Sequence, residues 1–254
     1  MSKYRRIVAY GCSFTAGDEI NDHLQFPDSE QLKKKNIEDW LLNYGPKLTT
    51  EIKEKNKQDS YAGQLATLMR LPLVNNAIGG TGLFRHSRQF IKDLQTNQLG
   101  KHDLVVFGLT SIGRLMYLNP SYDRDIMMNR KVLHNIPVDF DFIVKFFTDE
   151  MLLFNYYGIL LELLHLAERN QINAIFVNAA ANCNLDPTKY LRKESMYFDE
   201  LMFLYNQIKS HENVFLNTSL IGMIRRGELY AAGHPTYEVH SRFAAYLKSL
   251  IKDD

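Results

Sequence analysis

The sequence predicts an α/β protein: a five-stranded parallel sheet with helices on both faces, forming three layers. Three observations lead there. Five short apolar runs recur along the 254 residues, a helical stretch separates each from the next, and one of them, LVVFGL, shows no polar alternation, as expected of a strand buried on both faces. Connections of that length carry the chain back over the sheet, so neighbouring strands run parallel.

The elements follow in order. Ile7 to Tyr10 reads as a first strand closed by Gly11. A long polar stretch, about 21–60, is rich in Lys and Glu (LKKKN, EIKEKNK) and reads as a solvated insertion, with Trp40 and Leu41 as candidates for a lid. Tyr61 to Arg70 is amphipathic, placing Tyr61, Leu65, Leu68 and Met69 on one side of a helix. Leu73 to Ile78 is a second strand ending in GGTG, and Phe84 to Leu99 a helix. Asp103 to Leu109 is the third strand. An irregular stretch, about 114–139, leads to a long apolar helix from about Phe142 to Arg169. Ile172 to Val177, Tyr197 to His211, Val214 to Leu216 and Tyr237 to Lys252 complete the alternation as strand, helix, strand and helix. No internal repeat divides the chain, and 254 residues with 45% hydrophobic content suit one large core, so a single domain over 1–254 is expected.

Composition narrows the function. Thirty basic and 29 acidic residues leave a formal net charge of +1, which argues against a broad nucleic-acid surface. The two cysteines, Cys12 and Cys183, form no CxxC pair. No leading apolar segment with a cleavage site and no membrane-length span stands out, so the expectation is a cytoplasmic protein that does not enter a membrane.

Candidate chemistry lies on the loops after the strands, where ligands of such sheets bind. Ser13, in IVAYGCSFTAGDE, follows the first strand at the start of a helix, beside free N–H groups and the positive end of the helix dipole. A hydroxyl there can attack while the backbone stabilises an oxyanion. His234, in GHPTYEVH before the last helix, is its natural base. The blander alternatives are that Ser13 caps the helix, that Gly79, Gly80 and Gly82 merely turn the chain, and that His234 is a packed histidine. Cys12 reads as a small buried residue and His240 as a packing residue of the final helix. Arg114 could bind a substrate carboxylate or phosphate, or pair with Asp18 or Glu19. Asp18, Glu19, Asp22 and His23 form an acidic cluster that could hold a hard cation, but no metal motif is present, and neither metal nor cofactor is expected. A phosphate or flavin site after the first strand is disfavoured by the missing P-loop lysine and by Asp18 and Glu19.

GCSFTAG after the first strand, Asn75 and Gly80 in NNAIGGTG, GLTSIGR after the third strand and GHPTYEVH near the end resemble, in order, the four blocks of the SGNH/GDSL hydrolases. Within that family the GCSFT variant looks most like a bacterial or phage branch. The resemblance implies a flavodoxin-like α/β/α sandwich with Ser13 as nucleophile, His234 as base, and an oxyanion hole formed by Ser13, Gly80 and the third-block position. It further implies a small-acyl ester as substrate, free or on a glycan. Two departures qualify it. Thr110 stands where the family places an Asn, and Ala231 stands where it places the Asp that orients the histidine. The residues considered to replace that acid are Asp18, Glu228 and Glu238, or a backbone carbonyl. Without one, the alternative is a catalytically impaired module binding an acylated or carbohydrate ligand.

Overall fold

The computed structural model describes residues 3–26, 47–112, 114–115, 126–127, 148–179, 185–189, 191–230 and 233–251. The expectations about Trp40, Leu41, Cys183 and Ala231, and the start of the long helix at Phe142, lie outside the described residues.

Five parallel strands form the sheet. They are β1 (Arg6–Gly11), β2 (Leu73–Asn75), β3 (Asp103–Leu109), β6 (Asn173–Asn178) and β7 (Val214–Ser219), in the order β2-β1-β3-β6-β7. The order reverses between β1 and β3, so a crevice opens above the carboxyl ends of these two strands. β4 (Arg114–Leu115) and β5 (Ile126–Met127) pair antiparallel inside the stretch expected to be irregular. Among the described residues seven α-helices accompany them: α1 (Ser13–Ala16), α2 (Thr50–Asp59), α3 (Tyr61–Met69), α4 (Leu83–Gln95), α5 (Asp149–Arg169), α6 (Phe198–Ser210) and α7 (Tyr237–Leu250).

Alternate residues of each strand feed two cores. Val8, Tyr10, Val105, Phe107 and Phe176 pack with α4, α5 and α6, where Tyr10, Phe107 and Phe176 stack in series at 5.1 and 4.8 Å between ring centroids. Ile7, Ala9, Leu104, Val106, Ile175 and Val177 pack with α3 and α7. This is the expected three-layer sandwich.

Two further differences from the sequence reading bear on the site. β2 ends at Asn75 instead of Ile78: beyond it the Asn75 side chain accepts the Ala77 N–H at 3.0 Å and the strand turns irregular, although the Asn76 and Ile78 N–H groups still donate to Ala9 O and Gly11 O at 2.8 and 3.0 Å. The polar stretch contains α2, capped by Thr49, whose hydroxyl accepts from Ile52 N, and laced by Lys55–Asp59 and Lys57–Glu54 pairs.

Candidate active site

Ser13 is the first residue of α1, and Cys12, fully buried, holds the N-cap position. The cap role considered for Ser13 therefore falls to its neighbour. Ser13 is 4% exposed, and its hydroxyl has no hydrogen-bond partner among the described residues. A four-residue helix fits so close to the sheet because two glycines lie beneath it, Gly11 on β1 and its register partner Gly108 on β3. A Cβ on either would stand about 2 Å from the Thr15 hydroxyl, at 2.1 Å from Gly11 and 2.0 Å from Gly108. Thr15 in turn bonds Tyr61 Oη at 2.9 Å, and Asn75 donates to the Thr15 carbonyl at 3.0 Å. Strands β1, β2 and β3 thus hold α1 from below and α3 holds it from the side.

His234 lies over this segment. Its ring packs on Phe14, the residue after Ser13, with centroids 5.3 Å apart. Its Nδ1 lies 2.8 Å from Glu19 Oε2, and its backbone N–H donates to the same oxygen at 3.3 Å. Glu19 and His234 are both buried. A carboxylate only accepts, so Nδ1 carries the proton and Nε2 is left as the basic nitrogen. That is the tautomer a general base for a serine needs.

Glu19 corrects the set of replacements considered for the missing acid. Glu228 is engaged with Arg242 and with the Arg225 N–H, whose hydrogen bonds hold its carboxyl below the usual range. Glu238 is exposed on the first turn of α7. Asp18 faces the second-block loop, its Oδ2 lying 2.4 Å from where a Cβ on Gly79 would stand. The carboxylate that meets His234 comes instead from the other end of the chain, just past Ser13. The acidic cluster also has separate destinations, since Glu19 meets His234 while Asp22 accepts from Asn56 at 3.0 Å.

The oxyanion candidates sit on the neighbouring loops. Gly80 follows β2 with φ +77°, a conformation glycine adopts without strain, and no atom lies within 4 Å of where its Cβ would point. The Thr81 hydroxyl steadies that loop, donating to Ile78 O at 2.6 Å and meeting His86 Nε2 at 3.2 Å. Thr110 follows β3 and is completely buried. Its carbonyl accepts from Tyr156 Oη at 2.9 Å, yet its hydroxyl has no partner among the described residues. Leaving a buried hydroxyl unmatched costs about 1–3 kcal/mol, and Thr236 Oγ1 and His240 Nε2 share that state among the described residues. Arg114 falls on β4, and its side chain lies outside the described residues.

His240, fully buried, stacks on Tyr61 and accepts the Tyr61 N–H at Nδ1, at 3.0 Å. It fulfils the packing role expected of it. Among the described residues, no group of three or more His, Cys, Asp or Glu could hold a metal ion. No described helix is long and apolar enough to cross a membrane.

No protein-family model and no curated protein matches the sequence. Solved structures do match. A lipolytic protein assigned to the G-D-S-L family, from Desulfitobacterium hafniense DCB-2, aligns over 97% of this chain and 99% of its own, with a TM-score of 0.50 and 13% identity. The chain has the SGNH/GDSL hydrolase fold. A carbohydrate esterase family 2 enzyme with a carbohydrate-binding domain, from Corynascus thermopiles (Myceliophthora fergusii), aligns at a TM-score of 0.52 and 11% identity, over 97% of this chain and 65% of that one. A carbohydrate esterase whose active site displays divergent catalytic and non-catalytic binding functions aligns at 0.50 and 16% identity, over 98% and 68%. Because all five strands of the sheet run parallel, the connections after β1, β2, β3 and β7 leave it at one end, and Ser13, Gly80, Thr110 and His234 stand on these connections.

Proposed function

We propose that the protein is a serine esterase of the SGNH type, hydrolysing a small-acyl ester, such as an acetyl group on a carbohydrate, through Ser13, His234 and Glu19. The observation that carries this reading is the Glu19–His234 contact. It puts a carboxylate in the place of the acid whose absence, together with the Thr110 replacement, supports a non-catalytic binding module.

In the proposed reaction His234 Nε2 takes the Ser13 proton as Oγ attacks the ester carbonyl, and Glu19 stabilises the imidazolium that forms. The carbonyl oxygen becomes an oxyanion held by the Ser13 and Gly80 N–H groups and the Thr110 hydroxyl. The C–O bond to the alcohol then breaks, and the alcohol leaves with the proton from His234. Water, deprotonated by the same nitrogen, attacks the acyl-serine and releases the acid.

Support comes from three sides: the ordered blocks of the sequence, the SGNH fold with carbohydrate esterases among its solved examples, and the unmatched Thr110 hydroxyl. The test is hydrolysis of p-nitrophenyl acetate and of an acetylated oligosaccharide by the wild type, Ser13→Ala and His234→Ala. Turnover by the wild type and loss in both variants is expected. Equal rates in all three, or none in any, would contradict the proposal.

A further inference from the structure

We propose that α2 positions the acid of the triad: its Asn56 clamps the turn from Gly17 to Leu24 in the conformation that delivers Glu19 to His234. This rests on the reading of Glu19 as the orienting acid. Glu19 has φ +70°, in the left-handed region that a residue with a side chain rarely adopts. Such a conformation persists only where the surroundings fix the chain on both sides, and it is concentrated at functional sites.

Asn56 provides that fixing on both sides. Before Glu19, Gly17 at φ +74° runs so close to α2 that a Cβ on it would stand 2.3 Å from the Asn56 carbonyl oxygen. After Glu19, the Asn21 N–H donates to Asn56 Oδ1 at 2.7 Å, and Asn56 Nδ2 donates to Asp22 Oδ1 at 3.0 Å. Asp59, one turn on, adds a contact at 2.9 Å from Asn21 Nδ2. The clamp needs an amide, because the same side chain accepts from the Asn21 N–H and donates to Asp22, while the backbone carbonyl of Asn56 crowds Gly17. Aspartate would set a second carboxylate against Asp22, and leucine would remove both of these hydrogen bonds.

The composition of α2 fits this role. Asn56, 2% exposed, is its one buried residue, so the helix meets the protein through an amide and not through an apolar stripe. The polar stretch from which it comes would then be part of the catalytic apparatus.

The experiment compares the wild type, Asn56→Ala, Glu19→Ala and the double variant, each checked for folding by thermal melting. In protein carrying 15N-labelled histidine, the His234 Nδ1–H held by Glu19 gives a low-field proton resonance. That signal is expected in the wild type, absent in Glu19→Ala, and absent or exchange-broadened in Asn56→Ala. A folded Asn56→Ala that keeps it would overturn the proposal. Should Asn56→Ala fail to fold, Asp59→Ala must weaken the signal, and an unchanged signal there overturns it equally. With ester substrate, Asn56→Ala should lower kcat by about 10²-fold with KM nearly constant, as small misplacements do. It should add nothing on the Glu19→Ala background, whereas an equal loss on both backgrounds would contradict action through Glu19. If no variant or wild type turns over ester while the resonance behaves as expected, the esterase reading fails and the clamp stands.

Discussion

Glu19 and His234 stand 215 positions apart in the chain and meet at 2.8 Å. If this pair does the work of a triad acid and base, Glu19→Gln should lower kcat on p-nitrophenyl acetate by roughly 10²–10⁴ while KM changes little, since a neutral amide cannot stabilise the imidazolium. An undiminished kcat would show that His234 needs no charge behind it. Thr110→Val makes a separable prediction. If the hydroxyl serves the oxyanion, kcat should fall by about 10²–10³, while Tm should hold or rise because an unmatched buried hydroxyl is removed. A loss of both together would mark Thr110 as structural. Ser13, Gly80 and His234 stand out in the sequence as candidates because each sits in a short block with characteristic neighbours. Glu19 does not, because the expected acid lies three residues before the histidine, where Ala231 stands, and only a fold brings residue 19 to residue 234. The signal was in plain view as GDE, an acidic residue just past the glycine that closes α1, but its sequence neighbours suggested a cation cluster.

At the scale of elements, α1 is held by a close approach that the sequence hardly advertises. Gly11 and Gly108 look like ordinary strand glycines, yet each makes room for Thr15. Gly108→Ala would drive a methyl group into both the Thr15 and Tyr61 hydroxyls, 2.0 and 2.4 Å away. Overpacking of this kind costs about 1–3 kcal/mol, and for a chain of this size each kcal/mol lowers Tm by roughly 2–4 °C. Melting of the variant should show that drop, along with reduced ester turnover because Ser13 rides on the displaced helix. A variant with wild-type Tm and activity would mean the helix has slack. The strands and the large helices were legible because apolar periodicity reports burial. α2 escaped for the same reason: with an amide as its buried residue, it has no apolar stripe to detect, and its polar sequence reads as solvated surface. β2 is regular only to Asn75, where the side chain takes the Ala77 N–H, while single backbone bonds to β1 run on to Ile78, the end that the apolar pattern marks.

Over the whole molecule, two cores clamp one sheet, and the site lies at its carboxyl end. His240 shows how this affects stability. Complete burial, with the neighbouring His234 charge adding to it, pushes its imidazole down from about 6.5 to about 3. Between those values the unfolded chain takes up a proton that the folded chain refuses, so stability falls as pH drops through that window. Denaturant unfolding at pH 7 and pH 4.5 should therefore show a loss of about 2–3 kcal/mol from this residue, and His240→Asn should lack that part of the slope. Asp103 acts lower. Burial pushes its carboxyl up, but hydrogen bonds from Arg5, Arg6 and the Gly100 N–H outweigh that and hold it at about 2, so its contribution disappears only below about 3.8. Identical pH slopes in wild type and His240→Asn would refute the assignment. The central claim, that Glu19 and His234 activate Ser13, is tested most directly by the rate and site of labelling with a fluorophosphonate. The account predicts a single adduct on Ser13, formed far more slowly in Glu19→Ala and not at all in His234→Ala. Labelling at another residue, or at Ser13 with equal rates in all three proteins, would contradict it.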